Sequence, residues 1–357
     1  MATTAYPLNH PLAVKLWSKM LYHEALKETH AGQFIGSDSD SLIQSKDDFK
    51  KSAGDRLRVG LRMQLTGAGV SGDGTLEGQE EALTTYHDDL FIDQLRHAVR
   101  SDGRMSEQRV PFSVREEAMM GLRDWWADRI DTAFFNHIAG NTTQTDTKYT
   151  GSNATIAPST TTGNSRIIYG PLDTTENSLS SASASANFQL TLIDKAVTLA
   201  QTATPVLRPA KLPDGRRRFV LFLHPFQAYS LKTDATAARV TWYDAQKAKV
   251  QGGQLDNPIF GGGPLGEYNG VLLYVNTRIP LAPSTTTVRR AVFCGAQAIS
   301  MGTGRDNAPE RMTWFEERFD YGNQLGVSAG MIWGLKKMVY NSIDFGTMVI
   351  SSHAESP

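Results

Sequence analysis

The sharpest alternation of apolar and polar positions lies at residues 55–65. Leu57, Val59, Leu61, Met63 and Leu65 alternate with Arg56, Arg58, Gly60, Arg62 and Gln64. A period of two predicts a β-strand with one apolar face and one wet, cationic face. The next stretch, Gly67 to Gly78, holds five glycines and two acids. Leu83 to Arg100 then returns with mixed polarity. Together these segments predict a long hairpin or loop that projects from the body. An isolated hairpin is marginal in water, so a projecting one implies a neighbour to lie on.

A different period governs residues 113–140. Ala118, Leu122, Trp126, Ile130, Phe134 and Ile138 recur every fourth position, which predicts one apolar helix ridge. Arg115, Asp124, Asp128 and Asp131 fall on other faces. Ser113 with Glu116 three residues on reads as a capping box. Pro111 stops any earlier helix, and Gly140 is a helix stop. At 1.5 Å per residue such a helix is roughly 40 Å long.

Elsewhere the patterns are shorter. Residues 1–50 form a polar lead with helix-like spacing only at Leu12 to Leu26, so they predict an extended arm. Residues 141–188 are rich in Ser, Thr, Asn and Gly, and only Arg166 to Pro171 looks ordered. An irregular surface excursion is expected there. Residues 190–300 read as an α/β region: a helix from Leu192 that ends before Pro205, a strand at Arg218–Leu223, helices near Pro225–Leu231 and Ala237–Lys249, and strands at Val271–Val275 and Arg290–Cys294. Arg311–Phe319, Val327–Lys337 and Ser342–Ser351 read as returning antiparallel strands, with turn chemistry at Asp320–Asn323. The expectation is that they rejoin the sheet under the long helix.

Composition narrows the class. The chain has 357 residues, 40% hydrophobic and 20% charged, with a formal net charge of -1. No global basic field marks a nucleic-acid binder. The single cysteine, Cys294, cannot form a disulfide within the chain and sits in an apolar run, as a buried small hydrophobe would. No signal peptide and no run of membrane-spanning length is visible. These features fit a protein folded in the cytoplasm.

Candidate chemistry is sparse. Gly67-Ala68-Gly69-Val70-Ser71-Gly72 matches the dinucleotide-binding G-x-G-x-x-G. However, the strand before it alternates with arginines, and two further glycines follow where a phosphate-holding helix should open. A flexible loop tip is the better reading. No Walker A or H-E-x-x-H pattern is present, and Asp38 and Asp40 lack the rest of a calcium loop. Glu316 and Glu317 would face opposite ways on a strand. Arg216-Arg217-Arg218 reads as a basic turn, solvated or paired with a neighbour. The expectation is therefore no catalytic residue, no cofactor and no metal.

The order of arm, hairpin, long helix, α/β region and returning strands resembles the HK97-like capsid fold of tailed phages, an α+β fold. More specific phrases resemble the major capsid family of N4-like phages. They are Phe222-Leu223-His224-Pro225, Asn257-Pro258-Ile259-Phe260, Gly266-Glu267-Tyr268-Asn269-Gly270-Val271, Glu316 to Gly326, Trp333-Gly334-Leu335-Lys336-Lys337 and Asp344-Phe345-Gly346. The resemblance runs from about residue 50 onward.

It implies an N-terminal arm at 1–50, an E-loop and its base at 51–103, a P domain with spine helix and Ser/Thr-rich insertion at 104–189, an A domain at 190–300 and returning P-domain strands at 301–357. It also implies self-assembly as hexamers and pentamers into an icosahedral shell around double-stranded DNA, formed in the host cytoplasm. A separate scaffolding protein, a portal and decoration proteins are the implied partners, with no membrane involved. One branch of the fold crosslinks subunits through a lysine and an asparagine; no such pair is marked here. The residue-level expectation is that Arg56, Arg58 and Arg62 meet acidic surface on an adjacent subunit, while Leu57, Val59 and Leu61 face apolar surface. Two other classes remain: an encapsulin-like compartment, and a nucleotide-dependent enzyme using Gly67–Gly72.

Overall fold

The computed structural model describes residues 32–46, 54–62, 65, 67–111, 113–170, 173–180, 186–212, 214–234, 241–244, 247, 265–283, 285–304 and 313–356. The expected arm helix at Leu12–Leu26, most of the Ala237–Lys249 helix and the phrase Asn257–Phe260 lie outside the described residues. In chain order the strands and helices are β1 (Ile35–Gly36), β2 (Ile43–Lys46), β3 (Arg56–Arg62), β4 (Thr85–Phe91), β5 (Asp93–Arg100), α1 (Arg104–Gln108), α2 (Val114–Ala139), α3 (Thr147–Thr150), β6 (Ile167–Tyr169), α4 (Leu190–Thr202), β7 (Ala210–Lys211), β8 (Arg217–Leu223), α5 (Pro225–Thr233), β9 (Gly266–Tyr268), β10 (Val271–Val275), β11 (Val288–Cys294), β12 (Ile299–Thr303), β13 (Thr313–Phe319), β14 (Gln324–Lys337), β15 (Val339–Tyr340), β16 (Ile343–Asp344) and β17 (Thr347–His353).

The long helix α2 is the beam on which two sheets meet. Its first turn is capped by Ser113, whose side chain accepts the Glu116 N–H, and its last residue hands over to Gly140 in the left-handed conformation (φ 63°). The expected ridge is the buried one: Ala118, Leu122, Trp126, Phe134 and Ile138 are buried, and Ile130 packs against the same core. Trp126 meets Trp333 of β14 edge-on at 6.5 Å, while Phe134 and Phe135 meet Phe222 of β8 at 5.7 and 5.4 Å. The first half of the helix thus lies on one sheet and the second half on the other. At its C-terminal end, Arg290 Nη1 donates to the Ala139 and Gly140 carbonyls at 3.1 and 2.7 Å. A cation on those carbonyls opposes the negative end of the helix dipole.

The first sheet has six strands in the order β1-β2-β12-β14-β13, with β5 on the other side of β14. The fourteen-residue strand β14 is its spine: it pairs with β12 at Trp333–Lys337, β13 at Gln324–Gly330 and β5 at Gly326–Trp333. The second sheet has the order β6-β17-β11-β8-β10-β9, with β7 also on β8. Its central strand β8 buries five successive residues, Phe219–Leu223, as expected of a strand covered on both faces. Val220 and Phe222 face the α2 core. Phe219, Leu221 and Leu223 face a second core built on Leu192, Ile193, Ala196, Val197 and Ala200 of α4.

Two expectations need correction. The returning strands do not share one sheet under the helix: β13 and β14 join the sheet under the first half of α2, and the final strand β17 joins the second sheet. It pairs along its whole length with β11 in the second sheet, from Val288↔His353 to Cys294↔Thr347. Its seven residues are all buried, so they need two covered faces and find them there. The 141–188 segment is also more than a surface excursion. Its ordered piece, β6, runs parallel to β17, and Arg166 and Thr150 are buried. Asp131, off the apolar ridge of α2 as its position in the period places it, is nevertheless fully buried and faces Arg278 at 3.4 Å.

Candidate subunit-contact site

The hairpin expected from the alternation at 55–65 is present as the ribbon β3–β4, a two-stranded sheet of its own. Exposure along β3 alternates without a break, with every Arg and Gly60 exposed and Leu57, Val59 and Leu61 half-buried. The register explains both faces. Leu57, Val59 and Leu61 stand opposite Leu90, Asp88 and Tyr86, while Arg56, Arg58 and Arg62 stand opposite Phe91, Asp89 and Thr85. Residues directly opposite in an antiparallel pair share a face. The apolar face is therefore narrow and, among the described residues, covered only in part. Beyond the ribbon, the exposed apolar side chains continue with Leu65, Val70, Leu76 and Leu83.

The arginine face is largely answered within the hairpin. Arg58 Nε donates to Asp89 Oδ1 at 2.9 Å, Arg56 bonds the other Asp89 oxygen, and the Arg56 guanidinium lies over the Phe91 ring. Hydrogen bonds from Arg58 and then Arg56 hold the Asp89 carboxyl below the usual carboxylate range. Arg62 lies further out, past Asp89 and opposite Thr85. The alternation placed all three arginines correctly, but could not show that an aspartate 31 residues after Arg58 would meet it.

The glycine-rich tip does not form a phosphate cradle. Gly69, Gly72 and Gly78 take positive φ (68°, 65° and 88°). The segment that follows is turns and extended chain through Thr84, with no helix to present its N-terminus. Gly67 N–H and Gly78 N–H instead donate to Glu81 and Glu80 at 2.6 and 2.7 Å. Carboxylates thus occupy two of the amides at this tip. Among the described residues, no group of His, Cys, Asp and Glu is arranged to hold a metal ion, and no helix is long and apolar enough to cross a membrane.

The other candidates resolve into structural roles. Burial pushes the Cys294 thiol up, away from reactivity. Glu316 bonds Arg115 on the start of α2 at 2.7 Å, while Glu317 is exposed. In the basic turn, Arg217 reaches Asp40 at 2.7 Å and Arg218 reaches Glu267 at 3.3 Å. His224 is the N-cap of α5, its Nδ1 accepting the Phe226 N–H while Gln227 returns a bond to the His224 N–H, and Pro225 occupies the first turn. Asn269 and Gly270 (φ 47° and 74°) make the tight turn between β9 and β10. The Tyr268 hydroxyl and the Asn269 amide both donate to Asp194 of α4 at 3.0 Å. These phrases carry the fold, and the hairpin keeps an apolar face that the described residues cover only in part.

Known proteins share this fold. A profile of the family described as "Phage capsid protein" matches residues 4–356. The major capsid protein of Pseudomonas phage KPP25 is 28% identical over 365 residues, covering 93% of each chain. The capsid of Ralstonia phage GP4 superposes with a TM-score of 0.78 at 30% identity, over 100% of this chain and 99% of that one. The cyanophage Pam1 capsid shares the fold at a TM-score of 0.75 and 20% identity, over 96% and 97% of the two chains. With a mixed helix-and-sheet body of the HK97-like kind and a family match from end to end, the chain belongs to the phage capsid protein family.

Proposed function

We propose that this protein is the major capsid subunit of a tailed phage, resident in the virion, and that its hairpin is the arm by which one copy holds the next. The observation that carries this is the half-covered apolar face of Leu57, Val59 and Leu61 on a ribbon that stands outside both sheets. An apolar strip left unfinished in the subunit is finished by burial against another copy, and buried apolar area supplies affinity in such interfaces. Exposed charge pairs add about 0–1 kcal/mol each. Because Arg56 and Arg58 are already engaged by Asp89, Arg62 is the arginine best placed to fix register on acidic surface of the neighbour.

In this reading residues 51–103 are the E-loop and its base, α2 is the spine helix of the P domain, and 190–300 with β17 form the A domain. The copies close as hexamers and pentamers into an icosahedral shell around double-stranded DNA. Assembly takes place in the host cytoplasm with a separate scaffolding protein, a portal and decoration proteins. Kinship with the N4-like branch is part of the same proposal. The near-neutral chain suits a shell from which DNA must leave, since a strongly basic wall would hold it. No step calls for a catalytic residue.

The test is to co-express the full chain with its scaffold and image the sedimented product. Wild type gives closed, uniform shells. Leu61→Asp and Arg62→Glu each leave the subunit folded and reduce the shells. Shells at wild-type yield from both variants would overturn the assignment of the hairpin.

A further inference from the structure

The phrase Trp333-Gly334-Leu335-Lys336-Lys337 sits in the middle of a sheet, where a glycine and two lysines are poor strand material. Each nevertheless has a task. Trp333 packs against Trp126, and Leu335 is core. Gly334 lies against the root of the hairpin: a β-carbon there would stand 2.0 Å from the Phe91 carbonyl oxygen and 2.9 Å from its carbon. Only glycine permits so close a backbone approach. Phe91 is the last residue of β4, and after Ile92 the chain leaves the ribbon to join the six-stranded sheet as β5.

The same peptide is gripped by a residue from the Ser/Thr-rich segment. Asn153 Oδ1 accepts the Phe91 N–H at 3.0 Å, and its Nδ2 donates to the Phe91 carbonyl at 2.8 Å, as a neighbouring strand would. The Ile92 N–H donates to the Asp55 carbonyl at 2.9 Å and ties the two strand roots together. Lys336 completes the grip. Its Nζ bonds the Asp88 carboxylate and donates to the Asp89 carbonyl at 2.9 Å, while the other Asp88 oxygen accepts the Val339 N–H at 3.1 Å. Leu90, at 1% exposure, closes the root. Lys337, on the opposite face of the strand, turns inward to Asp344 at 2.8 Å, both fully buried.

We propose that Asn153, Gly334 and Lys336 are positioning residues that set the direction in which the hairpin leaves the body, and through it the curvature of the shell. The curvature part rests on the reading of the hairpin as the arm between copies; the direction part does not. The lever arm makes the joint matter. Seven residues of ribbon span roughly 20 Å, so a tilt of about 10° at the root displaces the far end by about 3.5 Å. That is close to a whole van der Waals contact of about 4 Å.

The experiment uses the full chain as isolated subunit. Spin labels go on Thr85→Cys, at the outer end of β4, and Lys195→Cys, on the exposed face of α4; Cys294 is buried and stays unlabelled. Double electron–electron resonance then reads the angle of the hairpin. The expected result is one narrow distance in the wild type, shifted or broadened by Lys336→Met, Asn153→Ala and Gly334→Ala. Lys337→Met, one residue away on the core side, lowers the melting temperature and leaves the distance unchanged. If Gly334→Ala does not fold, the other two variants still decide.

An unchanged distance in Lys336→Met and Asn153→Ala would overturn the proposal, whatever their melting temperatures. With scaffold, the displaced hairpins cut closed-shell yield by roughly tenfold, the effect of about 1.4 kcal/mol lost at a contact. Displaced hairpins with wild-type shells would leave the joint standing and overturn both its link to curvature and the hairpin reading of the function.

Discussion

The ribbon β3–β4 and the strand β14 start from the same kind of pattern and end in opposite surroundings. Both alternate, and both carry lysine or arginine beside leucine. In β14 one face finds a second layer: Val327, Ala329, Met331, Trp333 and Leu335 all belong to the α2 core. In β3 the matching positions stop at half-burial. Lys337 is drawn into the interior with Asp344, whereas Arg58 meets Asp89 at the surface. Alternation says which side chains share a face. It does not say whether anything covers that face, and in the function proposed above the uncovered face is the one that meets the next copy.

Substitutions in the body should therefore act on the subunit, and substitutions in the ribbon on the assembly. Trp126→Ala is expected to have the largest effect, a loss of about 3–5 kcal/mol of subunit stability, because Trp126 is 1% exposed between the helix and β14; urea unfolding measures it. A variant as stable as wild type would break the comparison at its stronger end.

The pH response of the body comes next. His137, wholly buried near the end of α2, donates from Nε2 to the Thr150 carbonyl at 2.8 Å. Burial first, with Lys337 and Lys336 nearby, lowers its pKa from 6.5 to about 4. The folded subunit then binds fewer protons than the unfolded chain between those values. Stability is full above about pH 6.5 and falls as pH drops toward 4, by on the order of 3 kcal/mol for this residue. Melting curves across that window show the slope, and His137→Gln flattens it.

Smaller still is Ser113→Ala, which removes the cap of α2 and is expected to lower subunit stability by about 1 kcal/mol. Smallest is Arg62→Glu, within about 0.5 kcal/mol of wild type for the subunit, although the same change reduces shell formation. A large stability loss from Arg62→Glu would mean that the ribbon is part of the body after all.

Legibility followed the same divide. The helices α2 and α4 and the strand β3 were readable because a local period marks each one, and β8 and β10 because each is a short, unbroken apolar run. The cap at Ser113 and the stop at Gly140 were readable because capping chemistry is local too. What escaped were contacts whose partners lie far along the chain. Asn153 looked like one polar residue among many until it met Phe91, 62 residues earlier. Arg166 to Pro171 looks ordered in the sequence, but its pairing with β17, and the burial of Arg166 beside it, depend on a strand about 180 residues later. β17 was recognisable as a strand, but its destination depended on which sheet could cover both of its faces. The arginine face of the hairpin was located correctly, but its partner Asp89 was visible only through the register.

The most direct test of the account is removal of the distal loop. A full chain in which Gly67–Ala82 is replaced by a two-residue turn should melt with the wild-type subunit, yet sediment as free subunits or small oligomers when scaffold is present. Closed shells at wild-type yield from that chain would contradict the central claim that the hairpin, and not the body, holds one copy to the next.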